Sequence, residues 1–342
     1  MKSHVRVAVI GGGVVGASVL YHLTKAGWKD VVLLERDELT AGSTWHAAGG
    51  FHTLNGDPNV AKLQGYTIAL YDELEKISGQ SCGLHRSGGL MLADTPERME
   101  WLKMAHARAR YLGLETEMMS MKEAKALHPL LEEKYFHGAM LDAADGNLDP
   151  AGTTHAYAKS ARIGGAEIYL KTKVEALTQR ADGGWDVVTN QGTLVAEHVV
   201  NCGGLWAREL GRMVGLELPV LAMEHMYLVT DEMPEVVAYN KERGRELPHI
   251  IDFKSEIYMR QERSGIVLGT YERACVPWQP RTTPWTFGSE LLPPDLDRIA
   301  PNLEIPSTTE VGFVGGFAIP GAPSMQMVAA ADGQAPGWPL VC

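Results

Sequence analysis

The stretch from Val5 to Arg36 limits the folds open to this chain more than any other. VRVAVI (Val5 to Ile10) is a short apolar run of the kind that forms a buried strand. It ends in Gly11-Gly12-Gly13-Val14-Val15-Gly16, an amphipathic segment follows to Gly27, and a second apolar run, VVLLER, fills Val31 to Arg36. Strand, glycine turn, helix and strand is the order of a βαβ unit. The spacing G-x-G-x-x-G falls on Gly11, Gly13 and Gly16, where a tight turn lets backbone approach a diphosphate and the helix pack close on the sheet. The free N–H groups at the helix N-terminus then face the phosphate charge. Glu35 closes the second strand, placed to accept hydrogen bonds from a ribose diol. The segment predicts a dinucleotide site. A glycine-rich turn in some other α/β protein is the plainer alternative.

A second signal follows in GSTWHAAG (Gly42-Ser43-Thr44-Trp45-His46-Ala47-Ala48-Gly49), where small residues surround one tryptophan and one histidine. With this loop the chain resembles the flavin-dependent dimethylglycine and sarcosine dehydrogenases, a branch of the D-amino-acid-oxidase-like flavoproteins. The resemblance implies FAD as cofactor, held by Gly11, Gly13, Val14, Val15, Gly16, Glu35, Arg36 and the Gly42 to Gly49 loop. It also implies a covalent bond from His46 to the flavin 8α-methyl. The chemistry is reasonable, since a neutral imidazole is a nucleophile and the methyl group of an electron-poor flavin ring is an electrophile. Without the resemblance, a loop histidine reads as a hydrogen-bonding residue. An NAD-dependent dehydrogenase would share the glycine motif but leave this loop unexplained.

At 342 residues the chain can bury a substantial core and suits two domains. A net charge of −11 with no basic block argues against nucleic acid or an anionic membrane surface as partner. No apolar run is long enough to span a bilayer. The first strand begins near residue 5, which leaves no room for a secretory or transit signal, so a cytoplasmic location is expected. Cys82, Cys202, Cys275 and Cys342 form no C-x-x-C pair and read as reduced thiols.

Further along, Asp57-Pro58 reads as the N-cap and first-turn proline of a helix ending at Gly79. Its packed stripe is expected to be Val60, Leu63, Thr67, Leu70, Leu74 and Ile77. From Cys82 the character changes to a strand (Ser87 to Ala93), a helix from Thr95-Pro96 to about Leu112, a capping box at Ser120 and Glu123, and a strand from His137 to Leu141. Met118, Met119 and Met121 read as core filling. Asp149-Pro150 opens an alanine-rich helix to Ile163. Short β runs follow at Ala166 to Leu170, Lys173 to Gln179, Trp185 to Thr189 and Leu194 to Ala196. A strand from His198 to Gly204 and a helix from Leu205 to Val214 come next. Runs at Val220 to Thr230, His249 to Phe253, Glu256 to Gln261 and Ile266 to Thr270 should pair antiparallel, because their connections are too short for crossover helices.

The expected fold is α/β: a doubly wound, Rossmann-like FAD-binding domain, discontinuous over residues 1–80 and 146–215, with an inserted α+β substrate domain. That inserted domain, on an antiparallel or mixed sheet, takes residues 81–145 and 216–303, and a Gly/Ala/Pro-rich tail takes 304–342. The resemblance adds Val174 as backbone beside the adenine and Gly203 as a glycine near the flavin.

Oxidising an amine with flavin removes a hydride equivalent from the carbon beside nitrogen, and the nitrogen must be neutral to drive it. A site near neutral pH therefore needs a proton acceptor or a desolvating pocket. The resemblance assigns His225 as proton acceptor or orienting group and Tyr258 as its hydrogen-bond partner. Read by itself, a strand histidine among apolar residues is a satisfied core group. Arg260 and Arg273 could bind a substrate carboxylate but read as solvated strand residues. No H-E-x-x-H or C-x-x-C motif supports a metal site, and no G-x-S-x-G supports a hydrolase.

The resemblance covers about residues 5 to 303. It implies oxidation of the C–N bond of a small N-methyl amino acid such as dimethylglycine or sarcosine, giving an imine that hydrolyses to the demethylated amine and formaldehyde. The electron acceptor would be oxygen or an electron-transfer protein. Family members run on into a final flavin-contact segment and commonly a folate-binding aminomethyltransferase-like module, which this sequence lacks. A truncated flavin domain is therefore expected, and the alternative function is a catalytically impaired remnant or an interaction protein without activity.

Overall fold

The computed structural model describes residues 1–303 and, as backbone alone, the strands Gly312–Val314, Phe317–Ile319 and Met325–Asp332. The remainder of the tail expected over 304–342 lies outside the described residues.

The first sheet has six strands in the order Glu167–Tyr169, Val31–Leu34, His4–Ile10, Gly192–Asn201, Trp185–Thr189, Val174–Gln179. Its first four strands are parallel, and its last two pairings are antiparallel. Alternation along the central strands divides the core in two, because successive side chains point to opposite faces. Val7, Val9, Val31 and Leu33 pack under the helices Val14–Lys25, Pro58–Ser78 and Pro150–Ile163. Ala8, Ile10, Val32 and Leu34 face Val174, Val187, Leu194 and Ala196. Burial on both faces explains why these strands read as continuous apolar runs.

The second sheet has eight strands: Met325–Asp332, Met223–Thr230, Gly265–Thr270, Ile257–Glu262, His249–Asp252, Gly89–Ala93, Gly138–Asp142, Thr116–Met119. The four expected from short connections pair antiparallel. His249–Asp252 then lies parallel to Gly89–Ala93, which joins the two sequence-distant halves of this sheet.

Local signals held where the chemistry was local. Asp57 accepts hydrogen bonds from the Asn59 and Val60 N–H groups, and Ser120 with Glu123 forms a full capping box. Met118, Met119 and Met121 pack at the edges of the core. Other expectations need correction. The helix Pro58–Ser78 buries Leu70 and Leu74 as expected, together with Ala61, Ile68 and Tyr71, whereas Leu63 and Ile77 are exposed. The runs at 194–196 and 198–204 are one strand, Gly192–Asn201, because pairing with His4–Ile10 continues across them. The helix after Gly203 splits into a 3-10 turn, Gly204–Trp206, and a short α-helix, Ala207–Arg212. A helix at Pro234–Arg243, with proline in its first turn and Gly244 in the left-handed conformation at its end, was not anticipated.

Candidate functional site

A cavity of about 1020 Å³ opens beyond the C-terminal ends of the parallel strands, where ligands bind in open α/β sheets. Gly11 has φ +115°, and a Cβ there would stand 2.2 Å from the Cys202 carbonyl oxygen. A Cβ on Gly16 would stand 1.9 Å from the Gly11 carbonyl oxygen. Only glycine fits either place. Gly13 caps the helix Val14–Lys25 without a side-chain cap, and the Val14 N–H donates to Thr44 Oγ1 at 3.0 Å. Gly11, Gly13, Val14 and Val15 line the cavity; Gly16 supports the turn from behind.

Glu35 accepts hydrogen bonds from the Gly12 N–H at 2.6 Å and the Asp37 N–H at 2.8 Å, bracing the glycine turn. Burial pushes its carboxyl up, against the pull of those two donors. Each carboxylate oxygen has a further lone pair for a hydroxyl. The Arg36 guanidinium lies 4.0 Å above the Trp206 ring and donates to the carbonyls of Trp285 and Phe287. It thereby pulls a distant segment over the cavity rim, whose further wall includes Val174 and Gly203.

The GSTWHAAG loop contains a 3-10 turn, Ser43–His46. Gly42, Ser43, Thr44, His46, Ala47, Ala48 and Gly49 line the cavity, while Trp45 lies outside the lining with its ring 4.1 Å from that of His46. His46 is buried, with Nε2 2.8 Å from the Glu290 carbonyl and Nδ1 3.2 Å from the Gly42 carbonyl. Both ring nitrogens thus face backbone carbonyls, and a neutral imidazole donates to only one of them.

The second sheet supplies another wall. His225 and Tyr258 stand side by side, ring centroids 6.2 Å apart at 23°, with Tyr271 5.2 Å from His225. Tyr258 is opposite Gly269 in the antiparallel register, and its ring fills the space a side chain there would take. The two arginines part company. Arg273 is 87% exposed and pairs with Glu256, as a solvated residue would. Arg260 is only 11% exposed, and its Nε donates to the Ala48 carbonyl, so the solvated reading fails for it.

Three further residues were not legible as site groups. His52 and His249, their rings 4.8 Å apart, both line the cavity, and His52 Nδ1 lies 2.7 Å from Asp145 Oδ2. Asp145 also accepts from the Thr53 N–H. The cluster joins residues almost a hundred or more positions apart, and no motif marks it.

The glycine cradle, the helix N-terminus and Glu35 form the donor and acceptor set that a dinucleotide requires, and the histidine–tyrosine wall provides polar groups beside it. The fold and site thus define a dinucleotide-dependent oxidoreductase. The chain belongs to the FAD dependent oxidoreductase family, whose family model matches residues 6–333. It is 41% identical over 308 residues to the mitochondrial dimethylglycine dehydrogenase of Rattus norvegicus, covering 89% of this chain and 36% of that protein. It is 32% identical over 297 residues to the mitochondrial sarcosine dehydrogenase of Homo sapiens, covering 84% of this chain and 31% of that protein. The chain therefore spans about a third of the length of these relatives. Among solved structures, the L-proline dehydrogenase of P. horikoshii superposes with a TM-score of 0.77 at 22% identity, covering 98% of this chain and 83% of that one, and shares the fold.

Proposed function

We propose that this chain binds FAD through the glycine turn and the His46 loop and oxidises the C–N bond of a small N-methyl amino acid of the dimethylglycine or sarcosine type. The observation that carries the reading is the stacked His225–Tyr258 pair, 6.2 Å between centroids, in the same cavity that His46 lines. FAD, when bound, accepts a hydride equivalent from the carbon beside nitrogen. His225 takes or shares the proton that the substrate ammonium must lose, and Tyr258 orients it by hydrogen bonding. The apolar part of the lining, with Ile251, Phe253 and Ile257, excludes water and favours the neutral amine. His46, buried in the lining of that cavity, would be the residue to tether the flavin.

The test is anaerobic mixing of the yellow protein with dimethylglycine, sarcosine and glycine. Bleaching by the N-methyl amines, with formaldehyde released, supports the reading. A protein that retains flavin but is bleached by neither N-methyl compound overturns it.

A further inference from the structure

The polar lining of the cavity extends beyond His225 and Tyr258. His249 begins the strand His249–Asp252, and its backbone N–H is fixed by the Gly88 carbonyl at 2.8 Å. Its side chain is buried yet lines the cavity. Neither ring nitrogen has a partner at full hydrogen-bonding geometry, although the Gly146 backbone lies close enough to favour the charged ring. A buried polar side chain left open in this way costs stability, about 1–3 kcal/mol, unless a ligand completes it. The ring edge sits over Gly50, where a Cβ would stand 2.7 Å from His249 Cε1. Gly50 follows directly on the His46 loop, so the imidazole stands where that loop ends.

On one side the His249 ring is 6.4 Å from that of Tyr258, which in turn neighbours His225. On the other it meets His52, itself held by Asp145. We propose that His249 is a substrate-touching residue, an imidazole that accepts a hydrogen bond from the ammonium N–H of the amine, and that the His52–Asp145 pair positions it. The inference rests on the amine-oxidising reading above and adds a contact to it.

The surroundings decide the form of the ring. Burial, with His52 and Arg260 nearby, holds His249 well below the usual imidazole range. Burial opposes charge on His52 too, but the Asp145 and Asp142 carboxylates outweigh it and raise that ring. Tyr258, on the adjacent strand, also faces His249, with 6.4 Å between the ring centroids. His249 is thus neutral at neutral pH and acts as an acceptor; dimethylglycine has a single ammonium N–H, so His249 holds it in the resting complex and gives it up when His225 takes the proton. Asp145 packs on Gly89, where a Cβ would stand 2.6 Å from its Oδ2, and Gly89 is the register partner of His249. Asp145, in the connection between the strands Gly138–Asp142 and Gly146–Asn147, therefore holds His52 against the strand that pairs with His249.

The test uses the flavin-loaded protein reduced with dithionite, so that an amine binds without turning over, and calorimetry with two probes. Dimethylglycine carries an ammonium N–H at pH 7, whereas betaine has the same carboxylate and a quaternary nitrogen with no N–H. His249→Leu should weaken dimethylglycine about tenfold or more and betaine less than about twofold, the size of one hydrogen bond to a charged group. His249→Gln should recover most of the loss, and Asp145→Asn should give a partial loss with the same selectivity. Equal losses for both probes, or none in either His249 variant, overturn the inference while the substrate reading stands. An unchanged dimethylglycine affinity in Asp145→Asn overturns the positioning role. Failure of the wild-type protein to bind dimethylglycine removes the substrate reading and this contact with it. His249→Gln keeps the polar character of the site should His249→Leu fail to fold.

Discussion

The Nε of Arg260 donates a hydrogen bond to the carbonyl of Ala48, which ties a strand of the second sheet to the loop that carries His46. The same guanidinium reaches the Glu262 carboxylate at 2.7 Å and the Gln261 carbonyl at 2.8 Å. These bonds hold its plane at a fixed angle to the loop. Arg260→Met should cost roughly 2 kcal/mol and lower the fraction of protein carrying flavin, because a hydrogen bond from a charged donor to a partly buried carbonyl is lost. Arg260→Lys, lacking the planar fork, should restore only part of it. Thermal melts and the ratio of flavin to protein absorbance measure both effects.

The glycine turn makes a sharper prediction. In Gly16→Ala the new methyl must displace the Gly11 carbonyl, which would otherwise stand 1.9 Å away. The neighbour is backbone, so it cannot move without opening the turn. A loss of about 1–3 kcal/mol is expected, together with loss of FAD. A variant that melts with the wild type and keeps its flavin would show that the turn does not bind the diphosphate.

His46→Ala separates tethering from binding. The wild-type protein should keep its yellow colour through acid precipitation, whereas the variant should release free flavin into the supernatant. Gly11, Gly13 and Glu35 remain in place, so the variant should still bind FAD before denaturation. Colour in the wild-type supernatant would remove the covalent bond from the proposal.

Asp142 gives a pH dependence. Burial, then the neighbouring Asp145, pushes its carboxyl from the ordinary 3.8 up to about 6, although Thr53, the Ala144 N–H and His52 oppose the shift. The folded protein then holds a proton that the unfolded chain releases, so this group lowers stability as pH rises from about 4 to about 6. Above that window the cost is constant. Asp142→Asn removes the titration and should flatten the stability curve there, with a gain of roughly 2 kcal/mol at pH 8. Urea unfolding at pH 4, 5, 6 and 8 follows the slope, and an unchanged slope would remove Asp142 as its source.

Much of the site could be read from residue order because its chemistry is local. The helix caps at Asp57 and Ser120, and Gly16 against the Gly11 carbonyl, act within a few residues of themselves. Gly269 shows the limit. Its meaning is the room it leaves for Tyr258, which only the register of two strands supplies. Arg260 shows the same limit, since its partner Ala48 lies far away in the chain. The helix Pro234–Arg243 is a different case, because its first-turn proline and its terminal Gly244 are local signals.

Residue order alone therefore determined the glycine turn, the periodicity of the strands and the character of the His46 loop. Backbone conformation and side-chain alternation depend on near neighbours, and near neighbours are written in the chain. Tertiary structure alone decided that His52, Asp145, His249 and Arg260 would meet beside that loop. Their positions depend on strand pairing between distant segments and on burial, and these are set by the packed core of both sheets at once.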